Sequence, residues 1–162
     1  MSNDAMSNDD VIDELNTLIE TCKDGEYGFR TCAEHVKSTQ LRQVFTSRAE
    51  ECRHAATQLQ LLVTRLGGKA DTGSSVTGTM HRGWVNLKGM LTGDSDQAAL
   101  NECERGEDAA LERYRDAIRK SLPDDVAAEL ADRYLVMERG EVVQRGRGAD
   151  MEREGVRARM SI

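Results

Sequence analysis

The sequence predicts an all-α fold, with four long amphipathic helices in two antiparallel hairpins and one long crossover between the second and third helices. Three observations carry this. Apolar residues recur at alternating spacings of three and four along four long segments, the period of a helix face. Charged residues make up 31% of the chain and aromatics only 4%, and Glu, Asp and Arg are interleaved with Leu, Ala and Val, a mixture that favours long helices over sheets. The single proline, Pro123, stands where a helix start is expected.

The opening MSNDAMSNDD contains MSND twice, which fits an alternative start at Met6, and residues 1–8 are expected to be disordered. From Asp9 to about Val36, the residues Val11, Ile12, Leu15, Leu18, Ile19, Cys22, Phe29, Cys32, Ala33 and Val36 form one helical face. After a break near Ser38-Thr39, a second face holds Leu41, Val44, Phe45, Cys52, Ala55, Leu59, Leu62, Val63 and Leu66, and stops at Gly67-Gly68. So short a connection makes the two helices antiparallel neighbours. Residues 67–78, GGKADTGSSVTG, read as a loop, and a short helix is expected over 80–91. A third long helix over 95–121 should turn Leu100, Cys103, Ala110, Tyr114 and Ile118 inward. Pro123, followed by Asp124 and Asp125, suits the start of a fourth, with the acidic residues at its positive end. That helix, carrying Val126, Leu130, Tyr134, Met137 and Glu141 on one face, should reach about Arg145. The bundle domain therefore spans 9–146, and residues 147–162 are a charged tail with little periodicity, expected to fray.

Composition excludes some classes of function. A net charge of −7 argues against general nucleic-acid binding, which needs a basic face. No apolar run approaches a membrane span, and the start lacks a basic and then apolar signal sequence, so a soluble cytoplasmic protein is expected. Cys22, Cys32, Cys52 and Cys103 form no CxxC pair. They are expected to be reduced, buried thiols acting as small apolar groups.

The chemistry worth attention lies in glycine–glutamate pairs inside helices. Cys22-Lys23-Asp24-Gly25-Glu26 and Cys103-Glu104-Arg105-Gly106-Glu107 share the form CxxGE, which suggests that the two hairpins are pseudo-repeats, and Gly140-Glu141 follows in the fourth helix. By helical count Glu26 falls near the edge of its inward stripe, and Glu107 and Glu141 near the middle of theirs. Glu51 lies beside the stripe of the second helix and Arg48 within it. The glycines let a neighbouring backbone approach, at about 1 kcal/mol of lost helix propensity each.

LNTLIETCKDGEYGF, LGGKADTGSSVTGTMHRGW and ECERGEDAALERYRDAI resemble an uncharacterised bacterial family of four-helix-bundle proteins placed in the ferritin-like superfamily, over roughly Asp10 to Arg145. The resemblance implies a ferritin-like fold, no established activity, and a setting in stress responses of the kind its superfamily suggests. It also implies a His-Asp pair in the fourth helix, where this chain reads Gly140-Glu141.

Two readings of the carboxylates follow. A di-metal site takes one Glu from each of two helices and Glu-x-x-His from the other two, a donor set suited to iron or manganese. Its members here would be Glu26, Glu51, His54, Glu107, Glu138 and Glu141, but His54 falls well over 100° from its apolar stripe and the fourth helix offers Glu138-x-x-Glu141 without histidine. The alternative is a structural polar layer of Glu26, Glu107 and Glu141 with Arg48 and Arg133, needing no cofactor. An arginine at this level neutralises the charge that a metal requires, and its loss from a fully buried pair costs roughly 3–5 kcal/mol. The layer is the expected arrangement, in a non-catalytic protein that acts by binding or assembly. His81, Arg82 and Trp84, after the Gly/Ser/Thr loop, are a candidate pocket for an anion or a partner. Long helices with exposed patches near the crossover favour a homo-oligomer.

Overall fold

The structure, a computed structural model, describes residues 5–72 and 96–139, with side chains as far as residue 134. All regular structure among these residues is helical: α1 (Asn8–His35), α2 (Thr39–Arg65), α3 (Asp96–Arg119) and α4 (Asp124–Arg139). The expected helices at 9–36 and 95–121 are met within two residues at each end. The short helix expected at 80–91 and the tail at 147–162 lie outside the described residues. The chain forms two compact units, residues 12–110 and residues 1–11 with 111–162.

In the unit of residues 12–110, α2 runs back along α1. The Phe29 and Phe45 rings stand 6.3 Å apart, and Gly68 presses against Ile12. Both ends of α2 are set by local chemistry. Ser38 is the N-cap, its hydroxyl accepting from the Leu41 amide at 3.2 Å, one of the donors a helix start leaves without an intrahelical partner. At the other end Gly67, at φ +81°, takes the left-handed conformation open to glycine. The Gly67 amide bonds the Thr64 carbonyl and the Gly68 amide bonds that of Val63, which is the Schellman pattern. Leu15, Leu18, Ile19, Leu59, Leu62 and Val63 are fully buried, each stabilising by about 1.5–3 kcal/mol relative to exposure.

The positions of two chain ends define the topology of this unit. Asp96, opening α3, accepts the Lys37 and Ser38 amides at 2.8 and 3.0 Å, so α3 starts beside the α1–α2 turn. Arg65, closing α2, lies at the Ile12 end. Those two ends are therefore roughly 38 Å apart along α1, taking 1.5 Å per residue. The chain leaving α2 already turns back along α1: Asn16 bonds the Lys69 carbonyl and the Asp71 amide, Gln60 the Asp71 carbonyl, and Lys23 the Thr72 carbonyl.

In the other unit, Ser7 ahead of α1 forms a reciprocal cap with Asp10: the Ser7 hydroxyl and amide donate to its carboxylate, and the Asp10 amide donates to the Ser7 hydroxyl. The Met6 amide bonds the Ser121 carbonyl at 3.2 Å. Pro123 precedes α4, its carbonyl accepting from the Ala127 amide, and Asp124 and Asp125 occupy the first turn, favourable at the positive end of the helix dipole. Val11, Tyr114, Ala117, Val126 and Leu130 are buried. Arg115 donates to the Tyr134 hydroxyl at 2.8 Å and lies over its ring.

Two expected inward positions are exposed, Val44 on α2 and Leu100 on α3. The buried face of α3 passes through Ala99, Glu102, Cys103 and Gly106, and Leu100 stands about 100° round from Ala99.

Candidate functional site

At Gly25, α1 packs closely against Cys52 on α2. A Cβ added there would stand 2.9 Å from Cys52 Sγ, closer than side chains normally come, so glycine eases the approach of the two helices at this level. Glu26 follows it at the edge of the buried face, its side chain 20% exposed and bonded by Arg30 at 2.8 Å. Arg30 also stands 3.9 Å from Glu50. One turn along α2, Arg48 donates from Nη1 to Glu51 at 3.0 Å, while its Nε lies 3.7 Å from Glu107 on α3. The guanidinium thus sits between carboxylates of two helices. It keeps 24% of its side-chain surface exposed, against 40% for Glu107 and 54% for Glu51. Glu107 is thus nearer the margin of the stripe than its helical count implied. Loss of solvent still pushes its carboxyl above the ordinary range, with Arg48 opposing that rise and Asp108, Glu51 and Glu104 adding to it.

The structure brings together Arg48, Glu51 and Glu107, and Glu26 with Arg30 and Glu50. His54 is exposed on α2 with its ring bonded to Gln58. Arg133 is half-buried in the unit containing α4. The side chains of Glu138 and Glu141, and the whole of His81, Arg82 and Trp84, lie outside the described residues. Among the described residues no group of three or more His, Cys, Asp or Glu is gathered so as to hold a metal ion. Where Glu51 and Glu107 converge, the cation between them is the Arg48 guanidinium.

Two buried carboxylates escaped the sequence reasoning. Glu102 is 2% exposed, gripped by Arg105, which donates from both Nε and Nη2 to its two oxygens. A charge this deep needs such a partner. Asp24 is buried on α1, as is Thr21, whose hydroxyl donates to the Thr17 carbonyl. The signal for Glu102 was present: it lies three residues after Ala99 and four before Gly106, on the same face as both.

All four cysteines carry thiols. Cys32 on α1 and Cys103 on α3 share one apolar cluster with Phe29, Ala33, Val36, Phe45, Ala49 and Ala99. The influence of each thiol on the other holds Cys32 below the ordinary thiol range and pushes Cys103 above it, and burial raises both. Cys52 is raised by burial, and further by Cys22, Glu51, Glu107 and Glu26 around it.

No relative among curated proteins matches the chain. Residues 10–120, which take in nearly all of α1, α2 and α3, match the family model described as a domain of unknown function, DUF2383, and the chain belongs to that family.

Proposed function

We propose that this protein is an antiparallel ferritin-like four-helix bundle that acts as a non-catalytic binding or assembly module, in the cytoplasm and as a homo-oligomer, with arginine in place of metal at its mid-helix carboxylates. The observation that carries this reading is Arg48, set between Glu51 and Glu107. The start of α3 beside the α1–α2 turn, and the doubling back of residues 68–72 along α1, support one lengthwise crossover of the ferritin-like kind. Val44 and Leu61, large apolar side chains exposed on α2, support assembly, and a light-scattering mass near 18.0 kDa would count against it.

Elemental analysis of protein grown with iron and manganese tests the central point. The expected metal content is far below one ion per chain and unchanged by Glu26→Ala or Glu107→Ala. Near-stoichiometric metal that either substitution removes would replace this reading by that of a di-metal carboxylate protein. Arg48→Met should lower stability without altering metal content. Because Arg48 and both partners keep contact with water, the cost falls between that of exposed and buried pairs, about 1–2 kcal/mol, and below the figure for a fully buried pair.

A further inference from the structure

We draw no further inference here: the strongest candidate, the strap of residues 69–72 that Asn16, Lys23 and Gln60 hold by its backbone along α1 and α2, is a contact within the chain already described, and nothing in the structure shows a second occupant for those side chains.

Discussion

Replacing Gly25 with alanine puts the close approach of α1 and α2 to a quantitative test. The new methyl would stand 2.9 Å from Cys52 Sγ, about half an ångström inside ordinary van der Waals contact. Forcing extra volume into a packed interior costs roughly 1–3 kcal/mol. Against this, alanine in place of glycine inside a helix recovers about 1 kcal/mol. The net effect is a loss of about 1 kcal/mol. The sign depends on one sulfur atom, because Cys52 Cβ lies at 3.7 Å, a comfortable contact. In a Cys52→Ala background the clash disappears and the propensity gain remains, so Gly25→Ala should there stabilise by up to ~1 kcal/mol. The coupling between the two positions is then about 2 kcal/mol. Urea unfolding of the four proteins, followed by ellipticity at 222 nm, measures it. Equal effects of Gly25→Ala in the two backgrounds, within about 0.5 kcal/mol, would refute the reasoning.

Two further predictions concern pH and the segment after α2. Glu107 is held above the ordinary carboxylate value of 4.5, so in the window just above that value the folded state keeps a proton that the unfolded chain has lost. Its contribution is therefore fully present at low pH and is lost as pH rises through the folded pKa. Glu107→Gln lacks this dependence and should gain on the unsubstituted protein as pH climbs through the window; a constant difference in unfolding free energy would contradict the cause assigned. Asn16→Ala removes the side chain that bonds the Lys69 carbonyl and the Asp71 amide, and should cost about 1–2 kcal/mol. Amide exchange at Asp71 should accelerate, and unchanged protection there would show that Asn16 does not hold the segment.

Helix placement was legible because it depends on period and caps, which are local. The three-and-four spacing located α1 and α3, and Gly67-Gly68 and Pro123 marked the end of α2 and the start of α4. The depth of each carboxylate was less legible. Helical counting placed Glu107 near the middle of its stripe and passed over Glu102, yet Glu102 is the deeper residue. The error is angular: one step along the helix turns a side chain by 100°, and the choice between neighbouring stripes rests on where α1 and α2 lie. Arg30 as the partner of Glu26 was available from the i, i+4 spacing. The meeting of Cys32 and Cys103 in one apolar cluster, 71 positions apart in the chain, had no local signal.

The turn between α1 and α2 carries one consequence for folding order. Its Lys37 and Ser38 amides bond a carboxylate 59 and 58 residues away, although the hairpin they belong to is itself local. Closing a chain segment of that length carries an entropy cost of roughly 3.6 kcal/mol before its constant term. The hairpin of α1 and α2 can therefore assemble first, on short-range contacts such as Phe29 with Phe45, while those two amides still bond water. They gain their acceptor only when α3 arrives. Exchange protection at Lys37 and Ser38 accordingly reports the docking of α3, and protection within α2 reports the hairpin, so two amides in one short turn time the joining of a third helix.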